Sequence, residues 1–151
     1  YGTTSDAKDP VRPDLDGASN AVAQALDDAG LKPRDIGYIS AHGTATHAND
    51  ITESEAILRV FGDYGAHVPV SSTKPIHGHA LGASGGLELA VAISALREQI
   101  APPTINFQET DPRCPINAVP NVAQKCEIRA AMSNSFAFGG INAVLVVTHT
   151  N

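Results

Sequence analysis

A chain of 151 residues is long enough for one domain with its own core, and 42% apolar with 17% charged residues excludes wholesale disorder. A net charge of −6, from 10 Lys/Arg against 16 Asp/Glu, comes with no basic stripe and only 5% aromatic residues, which argues against nucleic acid as a partner. No apolar run approaches the roughly 18 residues of a membrane helix, and no secretory signal opens the chain, so neither a membrane nor export is expected. The chain starts at Tyr1 without an initiator Met, as expected of a processed product or a piece of a longer chain.

Residues 1–16, rich in Asp, Pro and Thr, predict a loop. Ala18, Ala21, Val22, Ala25, Leu26 and Ala29 then fall at helical spacing, and Gly30 stops that helix. Pro33 turns the chain into a short strand over 36–40, with His42, Gly43 and Thr44 at its end. Asp50 or Thr52, with Glu53 or Glu55 completing a capping box, predicts a second helix carrying Ala56, Ile57, Val60 and Phe61. A strand over 68–72 leads to Lys74 and a glycine-rich stretch holding His77 and His79. Residues 86–98 are apolar on nearly every helical face, which predicts a helix buried between layers. Five prolines in 101–121 predict a long excursion. Strands are predicted over 126–132 and 141–148, linked through 136–140. The order α-β-α-β-α-β-β argues for an α/β fold, α-β-α layers around a mixed sheet.

Polar residues collect where strands end: His42, Thr44 and Thr46, then Lys74, His77 and His79, then 134–140. In α/β sheets those ends are where sites are built, and these side chains suit donors to an anion or a polarised carbonyl. Other chemistries fit less well. A zinc site of His42, His77 and His79 lacks a carboxylate or thiolate beside it. Gly82-Ala83-Ser84-Gly85-Gly86 matches G-x-S-x-G, but no strand precedes it and only His149 follows. A phosphate cradle there lacks Gly-Lys-Ser/Thr. Cys114 and Cys126 have neither metal nor dithiol spacing; a reduced, cytoplasmic setting fits them, with a disulfide unforced.

Three motifs in order carry a resemblance. They are Ala41-His42-Gly43-Thr44-Ala45-Thr46; Ser71-Ser72-Thr73-Lys74 with Gly78-His79 and Gly82-Ala83-Ser84-Gly85-Gly86; and Asn134-Ser135-Phe136-Ala137-Phe138-Gly139-Gly140. Together with Ser5-Asp6-Ala7, Pro102-Pro103-Thr104 and Asp111-Pro112, they resemble the β-ketoacyl-acyl-carrier-protein synthases over almost the whole chain, nearest the elongating, FabF-like branch. The last motif and His47-Ala48-Asn49-Asp50 are similar to the NodE-like subgroup as well. The resemblance implies the C-terminal half of a thiolase-like fold, one domain over 1–151, with the nucleophilic cysteine in an N-terminal half. Cys114 and Cys126 lie in no nucleophile motif.

In such enzymes an acyl group moves from carrier-protein phosphopantetheine to cysteine, and malonyl-carrier protein decarboxylates and attacks it. The resemblance implies that His42 and His79 donate to the malonyl carbonyl, with Lys74 orienting His79 and pairing with Glu88. Phe138 would gate between acyl and malonyl sides. Thr44, Thr46, Phe136 and Gly139 would line the substrate, the threonines along the pantetheine arm. Glu88, Ser133 and Asn134 would give structural support, including to a monovalent cation, although Ser40 stands where the family often has Asn. No catalytic metal and no diffusible cofactor are implied; the phosphopantetheine belongs to the carrier protein. The implied partners are acyl carrier protein and the N-terminal half, within a cytoplasmic homodimer. A nucleophile-free half serving only as a scaffold, and a polyketide or NodE-like parent, are the alternatives. Ala137 in place of a common Gly implies a stiffer gate. His77 is expected to be structural or lining, and His47 and His67 to lie at the surface. A half fold alone should also expose apolar surface where its twin packs.

Overall fold

The computed structural model of the chain describes residues 1–6 and 8–149; Ala7, quoted above with Ser5 and Asp6, lies outside them. Helix α1 (Leu15–Ala29) begins where the Asp14 carboxylate accepts from the Gly17 N–H. It ends where Gly30, at φ 65°, turns left-handed and returns its N–H to the Asp27 carbonyl. Of the six residues at helical spacing, Ala29 alone is exposed; the others pack against the sheet.

The sheet is built around β2 (Ile36–Ser40), buried at every residue, as a strand covered on both faces must be. Its neighbours are β3 (Pro69–Ser71) and β7 (Ala130–Ala137), both parallel to it. Beyond β3 lies β5 (Asn117–Ala118), also parallel. Beyond β7 come the antiparallel β8 (Ile141–Thr148) and then β1 (Gly2–Ser5). The order is therefore β1-β8-β7-β2-β3-β5, a mixed sheet. Two residues each in β4 (Ile100–Ala101) and β6 (Gln124–Lys125) form a separate small ladder.

Strand alternation divides the core. Ile39, Met132 and Val144 face α1 and α2 (His47–Phe61), with Ala21, Val22, Ala56, Ile57 and Phe61. Tyr38, Ala131 and Ile128 face α4 (Ser84–Glu98), with Ala92, Ala95 and Leu96. The layers are thus two helices, a sheet and one helix, in keeping with the α/β expectation. Among the described residues, no helix is long and apolar enough to cross a membrane.

Five expectations change. Residues 1–16 are not all loop, because Gly2–Ser5 form β1; its partners in β8 lie at the far end of the sequence, so no local signal marks it. Helix α2 starts at His47, and Asp50, Thr52 and Glu55 do not cap it; Glu53 turns inward instead. Helix α4 starts at Ser84, and its outer face is open: Leu87 and Ile93 are exposed, since its one packed face is satisfied by the sheet. The strand expected over 126–132 is broken between β6 and β7, where the Gln99 side chain takes the Ile128 backbone N–H and carbonyl. Residues 136 and 137, read as the start of the link, belong to β7, because each pairs with a residue of β8.

Candidate active site

Strands β2, β3 and β7 run parallel, so the segments that leave their carboxyl ends meet on one side of the sheet. The first carries His42. Its neighbour Gly43 sits at φ 42°, where a Cβ would come within 2.6 Å of the Ser72 Cβ; only glycine lets these two loops touch. The second begins with the short helix α3 (Lys74–His77) and continues to His79. The third runs through Phe136 to Gly140.

Lys74 is buried and its ammonium has three neighbours: the Glu88 Oε1, the main-chain carbonyl of His42, and His42 Nδ1 at 3.4 Å. Glu88 comes from the first turns of α4 and is fully buried; burial pushes its carboxyl up, against the pull of Lys74. An ammonium has only protons to offer, so His42 Nδ1 must be the acceptor and Nε2 carries the hydrogen. Burial first, then Lys74 and His79, push the His42 imidazole down to about 3, so it is neutral at ordinary pH. The lysine thus lies against the first histidine. The expectation that it orients His79 differs from this geometry, because its chain runs under the carbonyl of His42.

His79 is reached from the other side. Its ring centroid lies 5.5 Å from that of His42, edge to face. The Leu81 backbone N–H, 3.2 Å away, donates to its Nδ1, and a backbone N–H cannot reverse that role. His79 Nε2 therefore carries its hydrogen too. Leu81 adopts φ 51°, an uncommon left-handed conformation for a leucine.

The remaining candidates fall around this pair. Phe136 is buried, its ring 6.1 Å from that of His42. Phe138 is 76% exposed, at a turn tied down by the Gly139 N–H to the Pro10 carbonyl and the Asp6 N–H to the Gly140 carbonyl. Ala137 has φ −122° and ψ 161°, ordinary extended backbone. The Thr44 and Thr46 hydroxyls lie 3.0 Å apart. Ser133 and Asn134 are buried on opposite faces of β7. His77 donates from Nδ1 to the Gly78 carbonyl and accepts from Thr73, apart from the pair. His47 and His67 are exposed, and both cysteines are free.

One residue was missed. Glu53 is buried, and its carboxylate accepts from the backbone N–H groups of His42 and Gly43, both at 2.9 Å, and from Asn134 Nδ2 at 3.1 Å and Asn49 Nδ2 at 3.4 Å. Burial raises its carboxyl above the usual range, against the donors that hold it charged. It fixes the loop bearing His42. Its available signal was a carboxylate amid the apolar positions of α2, which a capping box explained equally well.

Residues 1–108 match the family model described as beta-ketoacyl synthase, C-terminal domain. The chain belongs to the β-ketoacyl synthase family. It is 46% identical over 144 residues to nodulation protein E of Rhizobium sp. (strain N33), covering 95% of the chain. It is 46% identical over 148 residues to 3-oxoacyl-[acyl-carrier-protein] synthase 2 of Staphylococcus aureus (strain COL), covering 97%. The chain spans 36% of the length of each of these relatives. Among solved structures, the ishigamide ketosynthase/chain length factor superposes over 100% of the chain and 37% of its own, with TM-score 0.95 at 44% identity. A type II polyketide ketosynthase in complex with its acyl-carrier protein gives TM-score 0.95 at 34% identity, over 100% of this chain and 38% of its own. The fold of this β-ketoacyl synthase domain is that of the thiolase-like ketosynthases, and it corresponds to their C-terminal part.

Proposed function

We propose that this chain supplies the malonyl-handling half of a condensing enzyme that elongates acyl chains by decarboxylative Claisen condensation. The observation that carries the reading is the pair of imidazoles, each with Nδ1 occupied by a donor and Nε2–H left free. Decarboxylation breaks a C–C bond and sends its electron pair toward the thioester oxygen. Two neutral Nε2–H donors stabilise that developing oxyanion without giving up a proton. Carbon dioxide leaves, and the carbanion attacks an acyl-cysteine, whose thiolate departs as the new C–C bond forms. That cysteine belongs to the N-terminal half in this reading. Burial first, and then Lys74, hold His42 unprotonated, and Glu88 keeps the ammonium in place.

Acyl carrier protein delivers both thioesters, with Thr44 and Thr46 beside the pantetheine arm; the relative solved with its carrier protein supports this partner. The apolar face of α4 and β8, with Leu87, Ile93, Ile141 and Leu145 exposed, receives the N-terminal half. The parent is a cytoplasmic homodimer. The test is malonyl-thioester decarboxylation by the full-length protein. His42→Ala and His79→Ala each lower kcat by about 10²–10³. Wild-type protein without decarboxylation and without condensation marks a scaffold and refutes the reading.

A structural cation is part of the proposal. Ser40 Oγ and Glu88 Oε2 are buried acceptors without a hydrogen-bond partner; Asn134 Oδ1 has none either, but its side chain lies on the opposite face of β7, beside Glu53. Ser40 pairs with Ser133 across β2 and β7, so these two side chains share the face packed by α4. One carboxylate oxygen among neutral oxygens fits a hard, singly charged ion. Exchange of potassium and sodium for choline lowers Tm if the site is used; an unchanged Tm refutes it.

A further inference from the structure

We infer that Ser84 is a positioning residue that holds His79 in its Nε2–H tautomer, an inference that rests on the proposed role of His79. Ser84 Oγ lies 2.9 Å from His79 Nδ1. A His–Ser contact alone leaves the direction of the hydrogen bond open. Here the Leu81 N–H settles it: that donor already points at the same nitrogen, so Nδ1 presents its lone pair and the serine hydroxyl must donate as well.

Three further observations show that the fold is arranged for this contact. Ser84 is 3% exposed while His79 is exposed, so the contact anchors a surface ring to a buried donor. Ser84 opens α4, where a serine commonly serves the free backbone N–H groups, but Ala83 holds the N-cap position and no side chain caps this helix. The hydroxyl is spent on the histidine instead. Leu81, whose N–H is the second donor, adopts a left-handed backbone, a conformation that disfavours a side chain. Two local costs thus converge on one nitrogen.

The same arrangement removes Ser84 from nucleophilic chemistry, although it is the serine of Gly82-Ala83-Ser84-Gly85-Gly86. It is buried, and its partner nitrogen is shared with a backbone donor. An exposed histidine with an unconstrained Nδ1 would spend part of its time with the hydrogen on the wrong nitrogen, turning no donor toward the oxyanion.

The experiment is imidazole nitrogen NMR on the full-length protein with labelled histidine, His79 being assigned from a His79→Asn spectrum. Wild type shows Nδ1 unprotonated. Ser84→Ala raises the ratio of Nδ1–H to Nε2–H about five-fold, the loss of one neutral hydrogen bond, and lowers kcat for malonyl decarboxylation only by the share of Nε2–H lost, with KM unchanged. Ser84→Thr keeps the hydroxyl and restores both. Should the alanine variant not fold, Ser84→Cys, a weaker donor of similar size, gives the comparison. Unmoved nitrogen shifts in Ser84→Ala or Ser84→Cys overturn the inference, whatever the activity. Absent decarboxylation in wild type instead overturns the function, and the NMR result still decides the role of Ser84.

Discussion

Replacing Glu53 by Gln tests the claim that its carboxylate builds the His42 loop. The two oxygens divide the donors: Oε1 takes the His42 N–H and Asn134, and Oε2 takes the Gly43 N–H and Asn49. Whichever way the amide turns, its NH2 confronts a backbone N–H that has no other partner. The milder orientation gives up the Gly43 N–H at 2.9 Å and the weak Asn49 contact at 3.4 Å. One orphaned buried donor costs about 1–3 kcal/mol, and loss of the charge weakens the surviving bonds by roughly another 1 kcal/mol. Opposing this, Gln removes the cost of burying a charge, which is what raises the Glu53 carboxyl. Four donors should outweigh that relief, so the expected loss is about 2 kcal/mol, or roughly 4–8 °C in Tm for a chain of this size. Urea titration at unchanged slope measures it. A Gln variant within about 1 kcal/mol of wild type would refute the reasoning, since desolvation would then cancel the hydrogen bonds.

The depressed His42 ties stability to pH. The unfolded chain takes up a proton near pH 6.5 and the folded chain only near 3, so the contribution is complete above about 6.5 and is lost as pH falls toward 3. By pH 5 the loss is about 2 kcal/mol, and His42→Gln should flatten that part of a urea-midpoint profile; an equally steep variant contradicts it. Lys74→Met strands Glu88 in the interior and costs about 3–5 kcal/mol, while adding Glu88→Leu recovers most of it; a double-mutant cycle without coupling goes against the buried pair. The 151-residue chain alone should self-associate in sedimentation through its apolar face, and Leu87→Glu with Ile93→Glu should relieve it. A wild-type chain that stays monomeric at high concentration would count against that face as an interface.

Much of the fold is local and therefore legible. The spacing in α1, the stop at Gly30 and the run of β8 all follow from near neighbours in sequence. The place of His42 just past a strand was also readable, since it follows an apolar run closely, and Lys74 and His79 were readable in the segment after the next strand. What escaped depends on partners far along the chain. Gly2–Ser5 has no strand signature until β8 is beside it, and the inward turn of Glu53 is visible only with Asn134 in place. Ser84 was read as one letter of a hydrolase pattern; its meaning lies in a nitrogen five residues earlier.

The pairing of Gly2 with Val144 and Ser5 with Ile141 also has a consequence for how this domain assembles. Among the described residues β1 has a single sheet neighbour, β8, so a ribosome making the chain releases β1 well before the strand it pairs with. Until then β1 can lean on α1 but has no ladder to join. Closing so long a loop is entropically slow, so the β1–β8 seam should form late in folding. The turn that carries Phe138 is tied by Asp6, immediately beyond β1, and by Pro10. Its ties would therefore tighten among the last events, and the exposed Phe138 would be among the last side chains of this domain to reach its place.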